Sequence, residues 1–338
     1  VFIHFDLWLK IDQKFCKGWQ SAPTALRVIC MSVNGIHHVT AIAGNPQGNI
    51  DFYTGVLGLR LVKRTVNFDD PLTYHFYYGT EIGAPGTILT FFAWPDAFRG
   101  RVGTGQVNVT SLAVPPGSLG WWTERFKSLR VNYSLPVRRF DEEALPFQDG
   151  DGLQLELVAT GDARPPWRGG GIPDEYAIRG VHGVTAHEEG YEATSDLLTK
   201  TLLFTAEGRE GNRFRYKAGD QPGFIDLLCT PDGPRGRGGV GGVHHIAWRV
   251  AGDAEQAGWR HTVASAGMNV SPVLDRQYFH SIYFREPGGV LFEIATDAPG
   301  FATDEATESL GQALKLPSWL ESAREQIVAG LEPITVPQ

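Results

Sequence analysis

At 338 residues the chain is long enough for about two domains with substantial cores, and a composition of 42% hydrophobic and 20% charged residues is that of a folded globular protein. A formal charge of -8 argues against a nucleic-acid partner, which needs a basic face, and no run approaches the roughly 18 consecutive apolar residues of a membrane span. Three cysteines, Cys16, Cys30 and Cys229, form neither a CxxC pair nor a dense framework, so no zinc ribbon or disulfide scaffold is indicated and a reducing cytoplasm is the expected compartment.

Residues 1–34 read as an extension outside the fold. No period runs through Val1 to Cys30, charges at Asp6, Lys10, Asp12, Lys14 and Lys17 interrupt any signal-like apolar region, and Met31 is the expected natural start. From Gly35 onward a unit of about sixty residues recurs four times, each an apolar strand, an amphipathic helix and three further strands. The first unit predicts strands over Ile36 to Ala43, Leu61 to Val66, Tyr74 to Tyr78 and Thr87 to Trp94, with a helix over Gly48 to Leu57. The second runs from Gln106 to Thr160 with its helix over Ser118 to Leu129. The third begins at Gly180, places its helix over Tyr191 to Leu203 and ends in Phe224 to Cys229. The fourth opens at Gly242, carries a helix over Ala254 to Ala266 and closes with Ser281 to Arg285 and Val290 to Thr296.

The stretch 161–177, with Arg164-Pro165-Pro166-Trp167 and three successive glycines, lacks any period and divides the units two and two. This gives a first domain over 35–160 and a second over 178–298. The loop from Asp232 to Gly242 is expected to be mobile. The tail, 299–338, is acidic at Asp304, Glu305 and Glu308 and predicts a helix over 317–331. Its apolar positions Trp319, Leu320, Ile327 and Leu331 would dock on the body or on a second subunit of a homo-oligomer.

One stretch is written twice, Ile36-His37-His38-Val39-Thr40 and Val243-His244-His245-Ile246-Ala247. Strand alternation sends adjacent histidines to opposite faces, so one of each pair should look inward. These stretches, with Asp51-Phe52-Tyr53, Leu61-Val62-Lys63-Arg64-Thr65, Gly117-Ser118-Leu119, Gly211-Asn212-Arg213 and Pro287-Gly288-Gly289-Val290-Leu291-Phe292-Glu293, resemble in order the vicinal oxygen chelate superfamily. Within it the chain is most similar to the ring-cleaving dioxygenases that act on hydroquinones. The resemblance implies an α+β fold of four βαβββ modules whose sheets form paired half-open barrels around a divalent metal.

Superposing the four opening strands aligns His38, Gly183 and His245, so only units one and four offer a histidine there. Superposing the closing strands aligns Thr90, Glu156, Asp226 and Glu293, with a one-residue slip for Asp226. The favoured ligand set is therefore His38, His245 and Glu293, two histidines and one carboxylate on one face of a metal. The alternative pairs His38 with Glu156 inside the first half. In the resembling enzymes the ligands come from the first and last modules, so units one and four would face each other, leaving Glu156 and Asp226 as ion-pairing groups.

The resemblance further implies a catalytic environment of Tyr283, Arg276, His37 and His244, with Thr40 at the substrate. His280 lies near Tyr283 in sequence and is expected at the pocket mouth. His182 reads as a core residue, His75 as packing with the pocket wall as the alternative, and Lys63-Arg64 as an ion-pairing or solvated element. The expected cofactor is Fe(II), with Mn(II) or another divalent ion as the alternative, and the expected partners are O₂ and a small aromatic diol, with neither nucleic acid nor membrane. A glyoxalase-like metal-dependent isomerase and a non-catalytic binding protein of the same fold are the competing readings.

Overall fold

A computed structural model describes residues 31–336, so the expectation for the first thirty residues lies outside the described residues. Module one comprises β1 (Ile36–Ala43), α1 (Pro46–Ile50) with a π-helical continuation (Asp51–Val56), β2 (Arg60–Asn67), β3 (Asp70–Gly79) and β4 (Ile88–Ala93). Module two comprises β5 (Gln106–Val114), α2 (Leu119–Leu129), β6 (Asn132–Tyr133), β7 (Val137–Arg139), β8 (Glu142–Gln148) and β9 (Gln154–Ala159). Module three contains β10 (Gly180–Glu188), α3 (Glu192–Asp196) with a π-helical continuation (Leu197–Thr201), β11 (Thr205–Glu210), β12 (Arg213–Lys217) and β13 (Phe224–Cys229). Module four contains β14 (Val243–Val250), α4 (Asp253–Ser265), β15 (Leu274–Asp275), β16 (Phe279–Arg285) and β17 (Leu291–Pro299), and the tail ends in α5 (Arg324–Gly330).

The strands form two curled sheets, and these cut across the sequence halves. One has the order β15-β16-β17-β14-β1-β4-β3-β2 and joins modules one and four; the other has the order β11-β12-β13-β10-β5-β9-β8-β6, with β7 on β8, and joins modules two and three. Antiparallel seams between β1 and β14 and between β5 and β10 close each sheet. The linker 161–177 therefore connects two modules of one sheet. Arg164 fixes it by donating to the carbonyls of Gly86 and Val181 and to Asp162.

Helices cover the outer faces through short apolar stripes. On α4 the buried positions are Gln256, Trp259 and Val263, spaced three and four apart, so one side of the helix meets the sheet. Trp259, Trp248 and Trp122 are all essentially inaccessible, and each contributes roughly 2–3 kcal/mol of apolar burial. Among the described residues no helix is long and apolar enough to cross a membrane.

Two peripheral segments differ from expectation. The Asp232–Gly242 loop, expected to be mobile, forms bridges to the 99–104 segment, at Arg99–Val240, Arg101–Arg237 and Thr104–Arg235. The tail helix expected over 317–331 is shorter, a turn at Glu321–Ala323 followed by α5; Ile327 and Leu331 are buried and Leu320 packs half-buried on the core, while Trp319 stays 49% exposed against Phe68. The tail nevertheless docks on the body. Buried Lys63 on β2 donates to Asp304 (2.6 Å) and Glu305 (2.5 Å), and Leu314 bridges to Arg64, covering a sheet edge that would otherwise present unpaired backbone groups.

Candidate metal centre

Alternation alone would separate the rings of each histidine pair, but the seam between β1 and β14 is irregular at both pairs. Ile36 stands opposite Trp248 and His38 opposite Ala247, which makes His37 an extra residue on β1. Thr40 stands opposite His245 and Ala41 opposite Val243, which does the same for His244 on β14. A bulge re-aims side chains in this way. As a result His37 Nδ1 lies 2.8 Å from His38 Nδ1, and His244 Nδ1 lies 2.8 Å from His245 Nδ1.

The opposite nitrogens of His38 and His245 converge. Their Nε2 atoms are 3.3 Å apart, and Glu293 Oε2 lies 2.9 Å from His245 Nε2 and 3.4 Å from His38 Nε2. All three residues are buried, and Glu293 is 0% exposed. Ser281 Oγ donates to Glu293 Oε1, whereas Oε2 receives no hydrogen bond. A buried carboxylate oxygen that stays ionised and has no donor calls for a cation. Bonds of about 2.1 Å at right angles around a metal place neighbouring ligand atoms about 3.0 Å apart, close to the triangle seen here. The residues present therefore fit a divalent ion on three facial donors, and among the described residues the group contains no fourth.

The electrostatics agree with the donor chemistry. Burial alone would raise the Glu293 carboxyl, but the neighbouring His38 and His245 overcome it and hold the group well below the usual carboxylate range. Burial, only partly offset by Glu293, holds His245 below the ordinary histidine value. An ionised carboxylate and neutral imidazoles are what a divalent metal binds. A metal on the two Nε2 atoms would leave the protons of His38 and His245 on Nδ1, where they would donate to His37 and His244 and fix ring orientation.

Beside the triad lies a cavity of about 320 Å³ whose walls include Phe92, Trp94 and Phe279. Arg276 and Tyr283 both reach it. Arg276 Nε donates to the Tyr283 hydroxyl (3.3 Å) and Nη1 to Asp69 (3.1 Å), so its acidic partner is Asp69 and not its neighbour Asp275. Burial, reinforced by Glu293 and only partly offset by Arg276, raises Tyr283 above its ordinary value, so it remains a phenol. Thr40 and His244 also line the cavity, while His37 sits buried behind His38.

His280 is the exception among the expected site residues. On β16 the positions facing the site are Phe279, Ser281 and Tyr283, so alternation turns His280 toward α4, where its Nδ1 lies 2.6 Å from Asp253. It is not at the pocket mouth. Asp69, Thr90 and Tyr77 were missed by sequence reasoning, and for His75 packing was favoured over the pocket wall; Asp69, His75 and Tyr77 line the cavity, Thr90 bonds to His75 behind it, and only the tertiary fold would have found them. Glu156 belongs to the other sheet, engaged by Arg139 and Ser111, so it is not placed to share a metal with His38.

The family model described as Glyoxalase/Bleomycin resistance protein/Dioxygenase superfamily matches residues 35–157 and 184–294. A Bacillus subtilis (strain 168) protein named "Putative ring-cleaving dioxygenase MhqO" is 51% identical over 305 residues, covering 89% of this chain and 97% of that protein. The chlorohydroquinone/hydroquinone 1,2-dioxygenase of Sphingobium indicum is 35% identical over 90% of this chain and 98% of that protein. The crystal structure of a "putative dioxygenase" from Bacillus subtilis subsp. subtilis str. 168 superposes with a TM-score of 0.88 at 48% identity, covering 91% of this chain and all of that one. The chain belongs to the Glyoxalase/Bleomycin resistance protein/Dioxygenase superfamily and, within it, to the ring-cleaving dioxygenases.

Proposed function

We propose that this chain uses Fe(II), held by His38, His245 and Glu293, to cleave the ring of a hydroquinone or catechol-type diol with O₂. The observation that carries the reading is the buried triangle of three donors, with an unsatisfied carboxylate oxygen, opening onto an aromatic-walled cavity. A bound ion would supply open coordination positions for a substrate oxygen and for O₂. Mn(II) or another divalent ion meets the same donors. The net reaction breaks one ring C–C bond and places both atoms of O₂ in a product bearing an aldehyde and a carboxylic acid.

The protein groups divide the remaining work. Phe92, Trp94 and Phe279 hold the ring by apolar contact and keep water away from it. Arg276, fixed by Asp69, presents a permanent positive charge to oxygens that gain negative charge, and the Tyr283 phenol supplies a proton-bearing hydrogen bond to the same region. His244, open to the cavity beside His245, is placed to exchange a proton with the bound diol, and His37 fixes the ring of His38 from behind. Thr40 offers its hydroxyl from the neighbouring strand position.

The experiment is anaerobic loading with Fe(II), followed by a panel of hydroquinones and catechols with oxygen uptake and ring-opened absorbance recorded together. One O₂ consumed per diol is expected. Absence of uptake with every diol, together with turnover of a hemithioacetal under another metal, overturns the reading in favour of an isomerase.

A further inference from the structure

Four residues in and behind one wall of the cavity are joined into one hydrogen-bonded chain. Thr40 Oγ1 lies 2.9 Å from Thr90 Oγ1, Thr90 Oγ1 lies 2.8 Å from His75 Nε2, and His75 Nδ1 lies 3.0 Å from the Tyr77 hydroxyl. The sheet register builds this wall. His245 stands opposite Thr40, Thr40 opposite Thr90 and Thr90 opposite Tyr77, so a single row crosses β14, β1, β4 and β3 starting from a metal ligand. His75, two residues before Tyr77, points to the same side, and Thr40, His75 and Tyr77 all line the cavity.

We propose that this chain recognises the hydroxyl of a para-diol that is not held at the metal, and that His75 is the positioning residue that makes the recognition reversible. The proposal rests on the aromatic-diol reading above. A neutral imidazole has one N–H and one bare nitrogen, and every other member is a hydroxyl that can donate and accept. Two consistent directions follow. In one, Tyr77 donates to His75 Nδ1, His75 Nε2 to Thr90 and Thr90 to Thr40, leaving the Thr40 hydroxyl to donate to a substrate oxygen. In the other, the substrate hydroxyl donates to Thr40 and each bond reverses, ending with His75 Nδ1–H donating to the Tyr77 oxygen. The same wall thus accepts from a hydroxyl or donates to the oxygen once its proton has gone. Burial supports both states, since it holds His75 well below its ordinary value and Tyr77 well above, keeping the imidazole neutral and the phenol protonated. A catechol can turn both oxygens toward the metal; a para-diol cannot, because its oxygens lie at opposite ends of the ring.

The test is anaerobic titration of the metal-loaded enzyme with hydroquinone and with phenol, which differ only by the second hydroxyl. The wild-type protein should bind hydroquinone about tenfold more tightly than phenol, the magnitude of one good hydrogen bond. His75→Phe and Thr90→Val should bind phenol within about twofold of wild type and lose the preference for hydroquinone, with metal content unchanged. His75→Gln, whose amide can both donate and accept, should restore part of it. A preference that survives in folded, metal-loaded His75→Phe and Thr90→Val overturns the chain, as does equal binding of the two ligands by wild type. If wild type binds neither, the diol reading itself falls, and the inference with it.

Discussion

The two sheets carry the same modules and solve the same electrostatic problem differently. Across the parallel strand pair of each module, Ala247 faces Glu293, Thr40 faces Thr90, Ser111 faces Glu156 and Thr185 faces Asp226. Three of these four equivalent closing positions hold a buried carboxylate, and a buried carboxylate that stays ionised must meet a cation. In the sheet of modules two and three that cation is arginine. Arg139 binds Glu156, Arg213 and Arg215 bind Asp226, and Arg215 also reaches Glu142, which in turn pairs with His182. In the sheet of modules one and four no guanidinium bonds to Glu293; the adjacent Arg276 is taken by Asp69 and Tyr283, and two imidazoles stand where the arginines would be. A half-barrel that fills its centre with guanidinium has nothing left to coordinate, whereas one that leaves an oxygen open has a place for a metal.

The sharpest way to break this comparison is to neutralise the two carboxylates in turn. Glu293→Gln should leave less than a tenth of an equivalent of bound metal after Fe(II) loading and lower ring cleavage by at least ~1000-fold, since losing a ligand exceeds the 10–100-fold effect of losing an outer partner. Glu156→Gln should retain full metal content. Metal analysis of the two purified variants decides the matter, and loss of metal from the Glu156 variant would contradict the division of roles.

Asp226→Asn probes the arginine side. It strips the carboxylate from Arg213 and Arg215, which are largely buried, and breaking such a group should destabilise the protein by about 3–5 kcal/mol with no change in metal content. A fall in the denaturant midpoint at constant slope is the expected signature. A fall within 0.5 kcal/mol of zero would mean that the network is solvated and does not stand in for the metal.

How far the sequence exposes this arrangement follows from what is local and what is not. The candidate ligands were legible because a repeated module counts positions along its own strands, so His38, His245 and Glu293 could be aligned without knowing which strands touch. The slip needed for Asp226 arose from counting back to the glycine turn; counted against the partner strand, Thr185–Asp226 matches Ala247–Glu293 directly. What depends on a neighbouring strand was not legible. The bulges that bring His37 behind His38 and His244 behind His245 exist only in the pairing of β1 with β14. The turn of His280 toward Asp253, and the partnership of Arg276 with Asp69 in the β2–β3 turn, 207 residues away in sequence, likewise require the tertiary fold. The Lys63 pair was legible as an ion-pairing element, but its partners in the tail were not.

The smallest effect concerns Gly183, which occupies in module three the place of His38 in module one. His38 faces Ile88 across a parallel pair, and Gly183 faces Phe224 in the same way. The absent imidazole could reflect simple loss of a ligand in a module whose sheet needs none, in which case any small residue would serve. Local packing argues otherwise, because a Cβ at Gly183 would lie 2.8 Å from the Phe224 carbonyl oxygen and 3.0 Å from its Cβ. Backbone cannot move aside as the end of a flexible side chain can, so Gly183→Ala should cost about 2 kcal/mol, in the range of overpacking, and leave metal content at the wild-type level. Equilibrium unfolding of the alanine variant measures this directly. A loss of that size means that the arginine-bearing sheet has closed the ligand position sterically as well as electrostatically, whereas a neutral substitution would leave charge as the sole difference between the two half-barrels.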